Sequence, residues 1–454
     1  MKEYPFTLQE WEICLKVLET LKENPFENPD NQRFKTLITA IHKKAKKEIR
    51  KEEYEVKKLE DITKIQQTVI ISKAQDNSTL YAHEYTPKNQ DFQDLHIPKS
   101  CYACGVEYTK LHFFYHKLCP DCAEANYKCR QLEPDFENYQ VVLTGGRVKI
   151  GYATALKFLR AKANVLVTTR FPAIALEQFS KEPDFEHWKD NLMMYGLDLR
   201  NVKSVYQFVE YCKKNLKSLD ILINNAAQTI RYTSEYYQPL IEHEQKQYSL
   251  LQNPKLLPNQ TPIHTELSKE QLPDFLELEN IQVNRFGQPI DYREKNSWNS
   301  TLEEIGLEEL LEVNFINHIS PYILISELKP LMLQSAHKEK HIINVTSSEG
   351  QFSYANKTVF HPHTNMTKAA LNMLTRTSAS DFIKNNIYMN AVDVGWISTG
   401  ANEEKRNRLF ENLQIPPLDS VDGAMRIVKP ILDIRDGDTE LYGKLLKNYQ
   451  IVEW

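Results

Sequence analysis

The stretch QVVLTGGRVKIG, Gln140 to Gly151, followed by YATALKFLRAKA, constrains this chain more than any other. A short apolar strand runs into a glycine turn and then into a helix. Glycine lets the backbone turn sharply and come close to a ligand, and the helix N-terminus beyond it offers unpaired N–H groups and a partial positive charge. That combination is how a chain builds a pyrophosphate cradle. Gly-Gly also marks ordinary turns, so the motif takes its weight from its surroundings.

Those surroundings alternate. QVVLT, NVLVTT, LDILINNA, HIINVTS and YMNAVDV read as strands separated by helical stretches, which implies a parallel sheet with helices on both faces. The expected fold class is α/β, a Rossmann-like doubly wound sheet over residues 136–454, with a mainly helical N-terminal region over 1–95 and a small cysteine-bearing module over 96–135. A polar, Tyr- and Pro-bearing stretch from about 230 to 302 lacks the strand–helix rhythm. It is too long for a simple connection and reads as an insertion, a lid, arm or oligomer contact. In the N-terminal region, Thr7-Leu8-Gln9-Glu10 fits a capping box, with Leu8, Trp11, Leu15, Leu18 and Leu21 at helical spacing behind it. A second helix is expected from Asp30 past Ile49, with Phe34, Leu37, Ile38, Ile41 and Ile49 on one face and the basic run HKKAKKEIRK on the other. TVIIS (Thr68 to Ser72) and STLYAH (Ser78 to His83) read as a small hairpin.

A net charge of −5 gives no general pull toward nucleic acid or anionic lipid, so neither is an expected partner. No apolar run approaches the roughly 18 residues that span a bilayer. MKEYPFTLQEWE lacks the apolar core of a signal peptide. Seven cysteines, four of them in two CxxC pairs, suit a reducing compartment. A cytoplasmic protein is the expectation.

The paired cysteines form C-x2-C-x14-C-x2-C, from Cys101 and Cys104 to Cys119 and Cys122. Tetrahedral zinc takes four soft ligands, and each CxxC aims two thiolates at one centre. The spacing resembles a treble-clef or zinc-ribbon module and predicts a structural zinc, with reduced or redox-active thiols as the other reading. His112 and His116 are then packing or surface residues, because four thiolates fill the shell.

NVLVTTR ends the second strand of the α/β region without an acidic residue to accept from an adenosine ribose 2′-hydroxyl, and it carries Arg170 instead. A guanidinium suits a 2′-phosphate, and Arg147 and Lys149 add charge in the loop, so NADP(H) is favoured over NAD(H).

Farther on, GLDLR and LDILINNAAQT make the pattern specific, and the chain resembles the short-chain dehydrogenase/reductase family from about residue 139 to 454. By that resemblance, Thr144, Gly145, Ile150 and Gly151 belong to the cofactor loop. Asp198 and Leu199 take the adenine side, and Asn225, Ala226 and Ala227 belong to the family's Asn-Asn-Ala-Gly segment with its glycine replaced. Asn314, Ser347 and Lys368 match the catalytic asparagine, serine and lysine, and Gly395 and Thr399 the Pro-Gly-x-x-x-Thr segment beside the nicotinamide. Three departures stand out. Lys149 occupies a glycine position, Val394-Gly395 replaces Pro-Gly, and Thr364 stands four residues before Lys368, where the family carries its tyrosine acid/base. A threonine hydroxyl cannot be tuned to neutral pH as that phenol is. The enlarged loop before Lys368 holds Tyr354, His361 and His363 as substitute proton donors.

Two readings stay open. One is an NADP(H)-dependent oxidoreductase acting on an unknown carbonyl or alcohol with an atypical proton donor. The other is a catalytically inactive NADP(H)-binding sensor or scaffold that engages a partner protein through the zinc module and N-terminal region. A homo-oligomer is compatible with either.

Overall fold

The computed structural model describes residues 4–75, 91–251, 255–258, 288–291, 293–355, 357–398 and 408–454. Two units emerge: Met1–Ile65 with Leu95–Pro98, and Gln66–Asp94 with Lys99–Trp454. In the first, α1 (Leu8–Glu23) opens with the expected capping box, since Glu10 N donates to Thr7 Oγ1 at 3.2 Å and Thr7 N to the Glu10 carboxylate at 2.8 Å. Helix α2 runs over Asn31–Gln66, continuing past Ile49 as expected. Near its end the buried Asp61 carboxylate accepts from His96 N and Ile97 N, both at 2.9 Å. The apolar residues Leu37, Ile41 and Ile49 stay exposed.

The second unit is built on a nine-stranded sheet. Its strands are β3 (Gln140–Thr144), β4 (Asn164–Thr169), β5 (Leu192–Gly196), β6 (Ile221–Asn224), β7 (Leu256–Leu257), β8 (Lys340–Thr346), β9 (Ile387–Asp393), β10 (Leu445–Lys447) and β11 (Gln450–Val452). The order is β11-β10-β9-β8-β6-β3-β4-β5-β7, and every pairing is parallel except β10 with β11. Parallel strands need cover on both faces, which is why β8 and β9 are buried at every residue. Helices α8 (Val202–Asn215) and α11 (Ser320–Met332) cover one face, packing Phe208, Val209, Leu324 and Leu328 on Val142, Leu222 and Ile342. Helix α5 (Lys149–Arg160) packs with the Ser420–Arg435 helix. The strand order reverses at β3, with β4 on one side and β6 on the other, so a crevice opens beyond the carboxyl ends of β3 and β6.

Between α2 and this sheet, Thr68–Ser72 does not form a strand. Val69–Gln75 is helix α3, whose first amides donate to Phe113 O and Phe114 O. A five-residue apolar run suits a buried helix as well as a strand, and here Ile70 and Ile71 are buried. Ser78–His83 lies outside the described residues. The cysteine-bearing stretch folds as a hairpin of β1 (Gln93–Ser100) and β2 (Glu107–Leu111), followed by α4 (Pro120–Arg130). The single turn α7 (Phe185–Trp188) leads toward β5. The insertion begins as α9 (Ser234–Leu251), which packs on α6 (Pro172–Ser180), and continues into β7 at the sheet edge. No helix among the described residues is long and apolar enough to cross a membrane.

Candidate functional site

A cleft of about 700 Å³ opens at the carboxyl ends of β3, β4, β6, β8 and β9. At one end lies the glycine turn. Gly145 has φ +72°, and a Cβ there would meet Ala226 at 2.9 Å. A Cβ on Gly151 would sit 2.1 Å from Gly145 O and 2.6 Å from Asn225 Nδ2, so the helix packs on the turn only because no side chain intervenes. Asn225 Nδ2 bonds Thr144 O and Gly145 O, and Thr144 Oγ1 accepts from the amides of Asn225 and Ala226. Thr144 therefore sits behind the wall and ties the two segments together, while Gly145, Arg147, Lys149, Ile150 and Gly151 line it. Lys149 opens α5 with φ +54°, the left-handed backbone that a glycine adopts without cost.

On the flank beyond β4, Arg170 lies against the Tyr237 ring, 4.5 Å from its centroid, and its Nη2 donates to Tyr237 Oη at 3.1 Å. Its Nη1 is buried without a partner among the described residues. The insertion helix α9 thus holds Arg170 from above. The same helix sends Glu244 to accept from Ala173 N and Ile174 N at the start of α6, at 2.7 and 2.9 Å. The Asp198 carboxylate is buried and chelated by Arg200 Nε and Nη2. Burial raises its pKa, but the Arg200 guanidinium outweighs that and holds it below the usual carboxylate range. Leu199, Ala226 and Ala227 complete this wall.

At the opposite end, Ser347 closes β8 in the cleft wall, and Lys368 comes from the second turn of α12 (Pro362–Phe382). Lys368 Nζ donates to Val345 O at 2.8 Å. Burial pushes its ammonium down to about 8, with Glu349 and Asp393 opposing. Gly395 lines the same end with φ +82°, and Asp393 accepts from Gly395 N, from Ser348 Oγ and from Lys447. Thr364, in the first turn of α12, also lines the cleft; its Oγ1 is buried without a hydrogen-bond partner among the described residues. Thr399 lies outside the described residues.

The three expected substitute donors separate. Tyr354 lines the cleft, with Lys447 Nζ 5.2 Å from its ring centroid. His361 does not. It caps α12 in a left-handed conformation, stacks on Trp298 and bonds Trp298 O through Nδ1 at 2.9 Å. His363 is also absent from the wall, buried with Nε2 2.9 Å from Thr229 O. Both histidines are engaged in packing the far end of the insertion and the Asn225–Thr229 strand exit.

Asn314 is likewise not in the wall. At the end of α10 (Leu307–Asn314), its Nδ2 donates back to Leu310 O at 2.6 Å. Asn317 takes the interior position, buried to 1% exposure. Its Oδ1 accepts from Gln228 N at 2.8 Å, and its Nδ2 donates to Gln228 O and Thr367 Oγ1 at 2.9 and 3.0 Å. The physical reason is a π-turn over Phe315–Ile319, which widens the helix and turns Asn317 toward α12. Two asparagines one turn apart look alike in sequence, and only this widening distinguishes them.

The four module cysteines converge. The Sγ atoms of Cys101, Cys104, Cys119 and Cys122 all lie within 4.8 Å of one another, with Cys104 and Cys119 at 3.7 Å. The first pair sits on the hairpin turn and the second at the start of α4. His112 and His116 are buried outside the cluster, His112 accepting from Phe114 N and His116 bonding Ile415 O. Sequence reasoning missed Tyr102 and Trp298, which both line the cleft; nothing in a loop aromatic's spacing signals that.

Two family models match the chain. One described as short chain dehydrogenase covers residues 139–247, and one described as enoyl-(acyl carrier protein) reductase covers 293–414. The gap between them falls inside the insertion. A protein of Acanthamoeba polyphaga mimivirus, uncharacterized protein R665, is 32% identical over 352 residues, 73% of this chain and 71% of that one. Chlorophyll(ide) b reductase NOL of Arabidopsis thaliana is 40% identical over 98 residues, 21% of this chain and 26% of the reductase. Among solved structures, an NADPH-bound carbonyl reductase from chicken fatty liver is similar at 19% identity and a TM-score of 0.44, over 70% of this chain and all of that one. A nine-stranded sheet that reverses at the glycine turn, matched on both sides of its insertion, leads to one assignment: the chain belongs to the short-chain dehydrogenase/reductase family.

Proposed function

We propose that this chain is an NADP(H)-dependent oxidoreductase interconverting a carbonyl and an alcohol, with Tyr354 as the proton donor in place of the family tyrosine. The observation that carries this is one cleft running from the glycine turn to Ser347, Lys368 and Gly395. The residues fit the cofactor. The glycine turn admits backbone but no side chain, α5 turns its N-terminus to the cleft, and Arg170 keeps a buried Nη1 unpartnered beside the adenosine flank. That nitrogen is the reason to favour NADP(H) over NAD(H), because a 2′-phosphate satisfies it.

NADP(H), when bound, supplies or accepts a hydride at its nicotinamide ring. Gly145, Arg147, Lys149, Ile150 and Gly151 hold the phosphates, with Thr144 tying the turn to Asn225 and Ala226 from behind; Asp198 and Leu199 take the adenine side, and Asn225, Ala226 and Ala227 the middle. Lys368 bonds the ribose hydroxyls, and Gly395 takes the carboxamide end. Ser347 donates a hydrogen bond to the substrate oxygen, which polarises the carbonyl, and Tyr354 Oη delivers the proton that oxygen needs as it becomes an alcohol. Asn317, rather than Asn314, links the strand exit at Gln228 to α12 and keeps that wall in register.

The thiol cluster fits a structural zinc. Zinc–sulfur bonds of about 2.3 Å in a tetrahedron set sulfur–sulfur edges of about 3.8 Å, near the 3.7 Å between Cys104 and Cys119. Four reduced thiolates go with a cytoplasmic setting.

Thr364 in the tyrosine's place favours a second reading, a non-catalytic NADP(H) sensor that engages a partner protein. A carbonyl screen with NADPH separates the two. Turnover that falls by about 10²-fold in Tyr354→Phe and Ser347→Ala supports the enzyme. Tight NADPH binding with no turnover of any compound supports the sensor.

A further inference from the structure

We propose that the four-cysteine module positions the Val394–Trp396 segment of the cleft wall, so that metal loading of its thiolates and NADP(H) binding strengthen one another. This rests on the cofactor and zinc assignments above. Tyr102 lies between Cys101 and Cys104. Its hydroxyl accepts from Trp396 N at 2.8 Å and stands 3.4 Å from where a Cβ on Gly395 would be. On the other side of the segment, Val394 O accepts from Arg426 Nη1 at 2.8 Å. Arg426 Nη2 reaches Asn126 Oδ1 of α4 at 3.1 Å, and Asn126 Nδ2 donates to Cys122 O at 2.7 Å. A continuous chain of hydrogen bonds therefore runs from the second cysteine pair to Val394, while the knuckle of the first pair bonds Trp396 directly. Lys117 adds a cation over the Trp396 ring at 4.7 Å.

The module is anchored to do this. Arg130 at the end of α4 is buried and bidentate on Asp419, at 2.6 and 2.8 Å, and Tyr115 Oη donates to Asp422 at 2.6 Å. These two carboxylates cap the Ser420–Arg435 helix that carries Arg426. The segment itself needs such support. Val394-Gly395 stands where the family resemblance expects Pro-Gly, and a proline would have restricted the backbone ahead of Gly395 by itself. Here the restriction comes from bonds made by the module.

Metal ligation fixes the knuckle and the α4 N-terminus relative to one another, because one ion bonded to all four sulfurs ties the two cysteine pairs together. Whatever stiffens Tyr102 and Asn126 stiffens the Val394–Trp396 wall, and by linkage a bound cofactor must stiffen the metal site by the same factor.

Two measurements on the full chain test this. NADPH affinity is read by fluorescence on zinc-loaded, chelator-stripped and zinc-restored protein. We expect stripping to weaken it by about 5- to 150-fold and zinc to restore it. Zinc release to a colorimetric chelator, read at equilibrium as the zinc affinity, should fall by a matching factor at saturating NADPH. Tyr102→Phe, which leaves Trp396 N without its acceptor, should keep one zinc per chain, yet raise the KM for NADPH more than it lowers kcat. The proposal is overturned if zinc release ignores NADPH and Tyr102→Phe binds NADPH as the wild type does. If zinc-loaded wild type fails to bind NADPH, the cofactor assignment falls and takes this proposal with it. Intact but zinc-independent binding removes the coupling alone.

Discussion

The two ends of the cleft are built differently. The glycine-turn end is assembled from local sequence: strand β3, the turn and α5 are consecutive, and Gly145 and Gly151 approach Asn225 and Ala226 so closely that only glycine fits. The Lys368 end is assembled from distant pieces. Ser347, Tyr354, Lys368, Gly395 and the module's Tyr102 meet there, together with Trp298 from the insertion. In a site made of consecutive residues the positions in closest contact, Gly145 and Gly151, are constrained sterically by their neighbours, and only Lys149, which takes a left-handed backbone, departs from the family's glycine. A site made of converging segments can exchange one donor for another, and here Thr364 occupies the tyrosine position while Tyr354 lines the same wall.

That contrast can be broken at its strongest point by Gly151→Ala. The added methyl overlaps Gly145 O, so NADPH affinity should drop by about 100-fold or more in a fluorescence titration. Wild-type affinity in this variant would mean that the turn is not the cofactor cradle.

Lys368 probes the other end. Its buried ammonium is cationic below about 8 and neutral above it. If that charge holds the ribose, NADPH affinity falls as pH rises through about 8, and Lys368→Met lowers it by about 10- to 100-fold at pH 7 and flattens the profile. A wild-type profile that stays flat well above that value removes the lysine from cofactor binding.

A smaller effect is expected on the flank. Arg170→Met should cut the preference for NADPH over NADH by about 10-fold and leave NADH affinity nearly unchanged. Equal losses for both cofactors would reduce Arg170 to a packing partner of Tyr237.

The smallest difference sharpens the asparagine assignment. Asn317→Ala strands Gln228 N in the interior and should cost about 1–3 kcal/mol in urea unfolding. Asn314→Ala, which loses a bond to its own helix, should cost less than about 1 kcal/mol. The reverse order would restore Asn314.

Much of this molecule was legible in one dimension. The strand rhythm, the glycine turn, the capping box at Thr7 and the two CxxC pairs all depend on residues close in sequence, and local sterics and periodicity report on them directly. The apolar stripe of α2 was legible too, yet its exposure in Leu37, Ile41 and Ile49 was not, because periodicity records a face without recording what covers it. The strand expected at Thr68–Ser72 failed for a related reason: a short buried run carries no period.

Tertiary structure alone decided the rest. A π-turn, invisible to spacing, turned Asn317 rather than Asn314 onto Gln228 and Thr367. Packing on the insertion's Trp298 withdrew His361 from the cleft and a bond to Thr229 O withdrew His363, while Tyr354 stayed in it. The same insertion delivered Tyr237 to Arg170, and the cysteine module delivered Tyr102 to Trp396. These are contacts between segments tens to hundreds of residues apart, set by which faces pack together. A chain's periodicity fixes what each segment can offer, whereas which side chains share a cleft follows from how the segments close on one another.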